Sequence, residues 1–289
     1  WMDRLYDAVL DDGVDYLSPV KDRWGELCAF PELMANWADR LLPVVRRAWS
    51  DDDAFVWVEG ATLCLSCLLE LERYDTLREL IALRSKRFWY YDRYWAMALA
   101  RQGQTDEALT YAEVSLTEEL NCPRHSVAVF CEGILLDDGR DDEAYARYGL
   151  LAAEGTTNLA RFRHLTKKYP ARDARQILND LITASGRPGK WFTAAKDAGF
   201  LDLALDCAQN HEADPSTLNR AARDFTESEP AFAARVAVCA LRSLLAGGGY
   251  EPTPLGVMQA HRHLRNASEL AGLKDWANQE VERLLESHG

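Results

Sequence analysis

The sequence lacks a long hydrophobic run. No apolar stretch reaches the ~18 residues that a helix needs to span a membrane, because Glu70 and Arg235 interrupt the two longest candidates, residues 61–71 and 231–246. Glycine, with 17 residues, and proline, with 10, are too scarce for a fibrous or low-complexity protein. The 289 residues are 48% hydrophobic and 27% charged, which is typical of a globular chain with one large domain or two ordinary ones.

The first residues, WMDRLYDAVL, also lack the basic segment and apolar core of a secretory signal peptide. The seven cysteines are odd in number, and most lie in apolar helical stretches, so we expect buried free thiols and not a disulfide framework. Both features favour a cytoplasmic protein. Because Trp1 is not a native start residue, one hypothesis is that the chain is the helical regulatory part of a longer enzyme.

The charge is acidic overall but unevenly distributed. A net charge of −13 disfavours broad binding to nucleic acids or anionic membranes. The window 157–197 is different, with nine basic and three acidic residues. It is interpreted either as a solvated helix face or as a site for an anionic ligand, a nucleic acid or an acidic partner. Its candidate contact residues are Arg161, Arg163, Lys167, Lys168, Arg187 and Lys190.

The hydrophobic pattern is helical almost throughout. In residues 94–100 and 108–116 apolar side chains recur every three or four positions, and no Asn-Gly hairpin or β-branched alternation occurs. Asp214, Thr253 and the run 50–53 are predicted N-terminal helix caps. We expect an all-α protein of roughly sixteen helices joined by short loops. Five prolines are predicted in first helical turns: Pro31, Pro123, Pro215, Pro230 and Pro254.

One short motif, Gly-x-x-Asp-x-Ala, recurs along the chain. The glycine is expected to end a helix in a left-handed conformation, and the aspartate to open the next helix by accepting from its unpaired N–H groups. The alanine lets the two helices approach closely. Degenerate copies occur at 72–77 and 169–174. The four full copies are Gly103-Asp106-Ala108, Gly139-Asp142-Ala144, Gly199-Asp202-Ala204 and Gly272-Asp275-Ala277.

Residues 94–112, YWAMALARQGQTDEALTYA, resemble a tetratricopeptide repeat (TPR), and residues 131–150 resemble the next repeat. The resemblance covers residues 89–155 and extends over the rest of the chain only in outline. It implies an α-solenoid of stacked antiparallel helix hairpins, in an N-terminal array at 1–185 and a C-terminal continuation at 186–289. It also implies binding of a protein or peptide in a groove, without catalysis.

Two segments are candidate binding sites, each with an alternative. Residues 88–95 hold six aromatic side chains, which either form a thick core or line a groove. In the second case Tyr91 and Tyr94 are the chosen contacts, because a phenol tolerates a half-hydrated site. In the segment 185–192, Arg187 and Lys190 flank a helix start where they either hold an anion or belong to a linker with its aromatics in the core.

Cysteine and histidine spacings predict no metal site. Cys64 and Cys67 have the spacing of a metal or redox pair, but no second pair follows and the apolar helix around them predicts burial. The group Cys122, His125 and Cys131 lacks a fourth ligand, which indicates a helix start with incidental cysteines.

The remaining chemical motifs are equally weak. His261 and His263 are two residues apart and point to different sides of a helix. Residues 137–143 are acidic but lack the register of a calcium loop. No nucleophile elbow, phosphate loop or dinucleotide motif occurs. We therefore predict a non-catalytic scaffold or adaptor without cofactor or metal, whose protein partner and oligomeric state the sequence leaves open.

Overall fold

The computed structural model describes residues 1–50, 57–84, 86–118, 123–209, 213–249 and 253–288. These residues form helices and connecting turns, with no strand among them, so the predicted all-α class is confirmed for the described part of the chain. The chain divides into two compact units, residues 1–152 (unit 1) and 153–289 (unit 2). The division predicted between residues 185 and 186 falls inside unit 2.

The helices of unit 1 vary in length from three to twenty residues. They are α1 Met2–Leu10, α2 Ser18–Asp22, α3 Trp24–Cys28, α4 Pro31–Ser50, α5 Ala61–Glu70, α6 Tyr74–Ala82, α7 Trp89–Arg101, α8 Thr105–Glu118, α9 Arg124–Asp137, α10 Asp141–Ala144 and α11 Leu150–Ala152. A π-helical turn, Tyr145–Gly149, joins the last two. The segments are more numerous than the roughly sixteen predicted, because this turn and the short helices at the N-terminus subdivide longer stretches.

Unit 2 ends in three longer helices of 15–17 residues. Its helices are α12 Asn158–Lys168, α13 Ala174–Ser185, α14 Phe192–Asp197, α15 Leu201–Ala208, α16 Pro215–Asp224, α17 Pro230–Leu245, α18 Pro254–Leu270 and α19 Lys274–His288. A 3-10 turn, Pro188–Trp191, precedes α14.

The predicted helix starts agree with the structure where it describes them. Asp214 accepts a hydrogen bond from Thr217 N at 2.8 Å, and Thr253 Oγ1 accepts one from Gly256 N at 3.1 Å, which confirms both caps. Residues 51–53 of the third predicted cap lie outside the described residues. Pro123 directly precedes α9. The other four prolines each begin a helix: Pro31, Pro215, Pro230 and Pro254.

Each unit has one helix that its neighbours surround. In unit 1 this is α5, whose residues 61–69 are all buried between α3, α4, α6 and α7. In unit 2 it is α17, which packs against α15, α16, α18 and α19. Small side chains let these helices approach α17 closely. The buried alanines of α17 are Ala233, Ala234, Ala237 and Ala240.

The glycine motif forms the same turn in both units. Five turns have a residue with a positive φ, between 55° and 86°, at the glycine position of the motif. This residue is glycine in the four full copies and Glu72 in the degenerate copy at 72–77. In each turn the following backbone N–H donates to the carbonyl five residues earlier, which is the Schellman closure of a helix end. The bonds are Arg73 N to Leu68 O, Gln104 N to Leu99 O, Arg140 N to Leu135 O, Phe200 N to Ala195 O and Leu273 N to Ser268 O, at 2.8–3.0 Å.

The alanine of the motif has its predicted place, since all four alanines are buried. The predicted role of the aspartate is corrected. Asp106, Asp142, Asp202 and Asp275 are each the second residue of a helix and not its cap. Asp106 accepts from Arg140 of the neighbouring hairpin at 2.7 Å, and Asp202 accepts from Arg175 at 2.9 Å. An acid in the first turn still interacts favourably with the helix dipole. The degenerate copy at 169–174 forms no such turn, because Tyr169 ends α12 with φ −119°.

Ion pairs link the hairpins of unit 1 at a regular sequence separation. Arg140 and Asp106 are 34 residues apart, as are Arg147 and Glu113. Two further pairs, Arg73–Asp39 and Arg101–Glu70, are separated by 34 and 31 residues. Corresponding positions of successive helix pairs therefore face one another within unit 1.

Candidate functional site

The six aromatic side chains of residues 88–95 form core and not a groove. Tyr91 is only 3% exposed and Tyr94 only 2%. Helix α7 packs against α5, α6 and α8, so rings on several of its sides are covered. Tyr94 donates to Asp22 O at 3.3 Å, and the ring of Tyr91 lies 5.1 Å from that of Trp49. The expectation that Tyr91 and Tyr94 contact a partner directly is therefore corrected.

A buried ion pair holds the start of α7. Asp92 accepts from Arg84 Nη1 at 3.0 Å and from Phe88 N at 2.7 Å, and both charged side chains are more than nine-tenths buried. The guanidinium of Arg84 also lies over the rings of Trp49 and Tyr91, at 5.4 and 5.1 Å. Burial raises the pKa of Asp92, while the nearby Arg84 opposes that shift. The pair anchors the chain that leads into α7.

This anchor reaches the surface through Tyr111 of α8. The Tyr111 hydroxyl donates to Asp92 Oδ1 at 3.4 Å. On the other side of the same residue, the guanidinium of Arg87 lies 4.3 Å from the ring centre and donates to Tyr111 O at 3.3 Å. Burial raises the pKa of the Tyr111 phenol, so the hydroxyl stays protonated at neutral pH. Arg87 and Tyr111 thus have defined positions at the surface.

A groove of about 580 Å³ lies at this place, beside the hairpin of α7 and α8. Leu99, Tyr111 and Val114 supply its apolar wall. Asp106 and Glu107, both exposed, lie at the start of α8 and line the same groove, and so does Arg87, which is half-buried against Tyr111. Asp106 is paired with Arg140, whereas Glu107 forms no ion pair with any residue that the structure describes. The groove therefore offers an apolar surface beside two carboxylates and one guanidinium group.

The basic window lies in unit 2, and part of its charge is neutralised. Arg163, Lys167, Arg187 and Lys190 are exposed, whereas Arg161 and Lys168 are half-buried on α12. Two other cations of the window are paired within unit 2, Arg175 with Asp202 and Lys196 with Asp197. Exposed cations on a surface do not by themselves form a binding site. The anion-binding interpretation of this window therefore stays a prediction.

The segment 185–192 does not present a helix start to an anion. Gly186 ends α13 in a left-handed conformation, and the 3-10 turn that follows has only four residues. Trp191 and Phe192 are both buried. Lys190 O accepts from Asn158 Nδ2 at 2.9 Å. The structure therefore shows a linker with its aromatics in the core, which was the alternative interpretation.

The cysteines that the structure describes are unpaired and buried: Cys28, Cys64, Cys67, Cys131, Cys207 and Cys239. Burial raises the pKa of Cys64 to about 12 and that of Cys207 to about 11, which keeps these thiols protonated and unreactive. Cys122 lies outside the described residues. His125 Nδ1 lies 3.0 Å from Leu151 O. Within the described ranges, no group of three or more His, Cys, Asp or Glu is placed to hold a metal ion.

The described helices include none that is both long and apolar enough to cross a membrane. No family model, curated protein or solved structure matches the chain. The function must therefore be argued from the geometry.

The sequence did not predict the groove. Asp106 was assigned only to the turn motif, and Glu107 and Tyr111 lie in the TPR-like segment without an assigned role. The useful signal was the Asp-Glu pair itself, because the motif needs one acid and the second is left at the surface.

Proposed function

We propose that unit 1 is a non-catalytic adaptor that binds a basic, partly apolar segment of a partner protein in the groove beside α7 and α8. The observation that carries the proposal is the juxtaposition of an apolar wall with two exposed carboxylates, against the single cation Arg87, in one groove of about 580 Å³. The charge of the unit supports it. Unit 1 contains 29 acidic and 16 basic residues, so the whole net charge of −13 lies there.

The contacts follow from the lining. An apolar side chain of the partner would pack on Leu99, Tyr111 and Val114, and this burial supplies most of the affinity. A neighbouring lysine or arginine would meet Glu107 and Asp106. An exposed ion pair contributes only ~0.2–1 kcal/mol. The acidic surface therefore acts mainly on the association rate and on partner choice.

The repeated hairpins support a wider version of this proposal. The same Schellman turn closes successive helix pairs at Glu72, Gly103 and Gly139. In a TPR-like array such pairs would place further side chains along a common groove. The proposed function needs only the α7–α8 groove and does not depend on the complete array.

The test uses fluorescein-labelled peptides in which lysine alternates with leucine, compared with peptides carrying glutamate at the same positions. Fluorescence anisotropy of the full chain should show binding of the basic peptide. Glu107→Lys should weaken it about tenfold, which corresponds to about 1.4 kcal/mol. Thr110→Trp should block the groove without changing any charge.

Asp7→Lys is the matched control, because Asp7 is an exposed acid of unit 1 outside the groove. Its effect should be limited to a small change in long-range attraction. Equal losses from Glu107→Lys and Asp7→Lys would show that only net charge matters. That result, or preference for the glutamate peptide, would refute the groove.

A further inference from the structure

Unit 2 contains a second cavity, a cleft of about 350 Å³ between α16 and α18. Near the starts of the two helices, Asn219 Nδ2 donates to Gly256 O at 3.4 Å. Further along, Arg223 acts electrostatically on His263. The two helices therefore run in the same direction, and the cleft follows both. Leu244 of α17 also lines the cleft.

Three arginines line this cleft, Arg220 and Arg223 on α16 and Arg262 on α18 (the arginine trio). All three are exposed. Arg223 pairs with Asp224 at 2.7 Å. Arg220 donates to Ser216 O and Thr217 Oγ1, which are uncharged. The trio therefore brings more positive charge to the cleft than the nearby carboxylate neutralises.

Neighbouring groups respond to this excess of positive charge. The pKa of His263 lies below its ordinary value because of burial and of the charges on Arg262 and Arg223, against the smaller opposing effect of Asp224. Arg262 forms no hydrogen bond or ion pair with the residues that the structure describes. A dianion would supply the missing counter-charge, and the forked guanidinium group matches the geometry of phosphate oxygens.

The helix starts alone do not make the site. Both α16 and α18 have proline at the first position, which has no N–H to offer. The Asp214 carboxylate and the Thr253 hydroxyl accept from the N–H groups of the third helical residues, Thr217 and Gly256. The anion is therefore placed at the arginine trio, where the positive charge of the cleft is concentrated.

Asn219 indicates the rest of the ligand. This side chain is only 9% exposed and lines the cleft, and its Oδ1 is buried without a hydrogen-bond partner among the described residues. A buried acceptor without a donor is energetically unfavourable. Asn219 Oδ1 is thus the expected acceptor for a hydroxyl or N–H group on the body of a ligand, which an inorganic anion held at the arginine trio does not have. Gln259 offers a second amide in the same cleft.

We propose that this cleft binds a small phosphate monoester. Its phosphate would lie among the arginine trio, and its hydroxyl- or N–H-bearing body would donate to Asn219 Oδ1. Leu244 and Leu255 provide an apolar surface for that body. The volume of the cleft is at the small end of the ~300–1,000 Å³ that ligand pockets occupy. The site is independent of the groove in unit 1.

The charge of the surroundings favours a small ligand over a polyanion. Unit 2 has 17 acidic and 17 basic residues, and the whole chain is strongly acidic. A long nucleic acid would extend beyond the cleft and meet repulsive carboxylates. A single phosphate group contained in the cleft avoids most of that repulsion.

The experiment is isothermal titration calorimetry of the full chain with ribose 5-phosphate and AMP. The comparison ligands are ribose, adenosine, inorganic phosphate, a glutamate-rich peptide and a single-stranded oligonucleotide. At least one phosphate ester should bind, its neutral counterpart should not, and inorganic phosphate should bind about tenfold more weakly because it lacks the body that would reach from the arginine trio to Asn219. The proposal is wrong if neither ester binds more tightly than inorganic phosphate, or if the peptide or oligonucleotide binds more tightly than both esters.

Two variants test the assignment of roles. Arg262→Gln should weaken binding of the ester about tenfold. It should not affect folding, because Arg262 is exposed and glutamine has a similar helix propensity. Asn219→Leu should weaken the ester but leave inorganic phosphate unchanged. Lys274→Gln is the matched control, since it removes one exposed positive charge of unit 2 outside both the cleft and the window 157–197.

Circular dichroism checks that each variant is folded. If Lys274→Gln weakens the ester as much as Arg262→Gln does, binding depends on general charge and the cleft assignment fails. Should Asn219→Leu reduce folding, Gln259→Leu replaces it as the test of the polar body. Unchanged ester affinity in both Arg262→Gln and Gln259→Leu would also overturn the proposal.

Discussion

Units 1 and 2 use the same helix-closing turn but differ in charge and in core. All of the net charge of −13 is in unit 1, while unit 2 has equal numbers of acids and bases. Unit 1 also contains seven of the nine tryptophans, whereas the central helix of unit 2 is lined by alanines. The turn depends on backbone geometry and a small buried residue, so it tolerates both surroundings. The turn does not depend on surface charge. The two units can therefore share the turn and still differ in the charge of the ligands that they are proposed to bind.

The largest expected difference between the units concerns one ion pair in each, which is buried in unit 1 and exposed in unit 2. Asp92→Ala should destabilise unit 1 by about 3–5 kcal/mol, because it leaves the buried guanidinium of Arg84 without its partner. Urea unfolding followed by tryptophan fluorescence is the measurement, since most tryptophans lie in unit 1. The equivalent change in unit 2, Asp202→Ala, removes an exposed pair and should cost less than ~1 kcal/mol. Similar costs would show that burial does not distinguish the two pairs.

The shared turn predicts equal effects in the two units. Gly103→Ala in unit 1 and Gly199→Ala in unit 2 should each cost about 1–2 kcal/mol, because a left-handed conformation is unfavourable for a residue with Cβ. No atom lies within 4 Å of the added Cβ at either position, so the backbone conformation alone sets the cost. Chemical denaturation followed by circular dichroism measures both. Clearly unequal costs would mean that the two turns are not equivalent.

Two further substitutions should increase the stability of unit 1 and not decrease it. Gly133→Ala, in the middle of α9 with open space around the new Cβ, should stabilise unit 1 by about 0.5–1 kcal/mol, since alanine favours helix. Glu72→Gly should also stabilise it, because Glu72 occupies the turn at φ 55° where glycine is unstrained. Destabilisation by Glu72→Gly would show that the side chain of Glu72 contributes more than the turn costs.

The parts that the sequence predicted correctly depend on neighbours within a few residues. The proline starts, the caps at Asp214 and Thr253 and the left-handed glycines are all local features, and the structure shows them as expected. The burial of Tyr91 was not predictable in the same way. It depends on α5, α6 and α8 covering α7, and on Trp49, which is 42 residues away.

The two candidate sites show the same limit. The window 157–197 was noticed because its cations are contiguous in sequence. The arginine trio was not predicted, because Arg220 and Arg262 lie on helices that are separated in the sequence by the whole of α17. Only the parallel packing of α16 and α18 brings them to one cleft. Arg220 and Arg223, which are one helical turn apart, were the only local indication.

The smallest expected effect concerns the pH dependence of unit 2. The hydrogen bonds from Arg175 lower the pKa of Asp202 to about 2, from an ordinary value of about 3.9 in an unfolded chain. A carboxyl whose pKa is lower in the folded state stabilises the fold above its unfolded pKa. That stabilisation is lost as the pH falls from about 4 to about 2. Because the pair is exposed, solvent screening keeps its contribution below ~1 kcal/mol.

Asp202→Asn isolates this contribution. The variant should be slightly less stable than the parent chain at pH 6, and this difference should be much smaller at pH 2, where about half of the Asp202 carboxyl groups of the folded parent are protonated. Urea unfolding at the two pH values, followed by circular dichroism, gives the comparison. The matched control is Asp180→Asn, another acid of unit 2, whose carboxylate accepts from the uncharged Gln176 Nε2 at 2.7 Å. A constant difference between Asp202→Asn and the parent at both pH values would mean that the Arg175–Asp202 pair contributes through shape and not through charge.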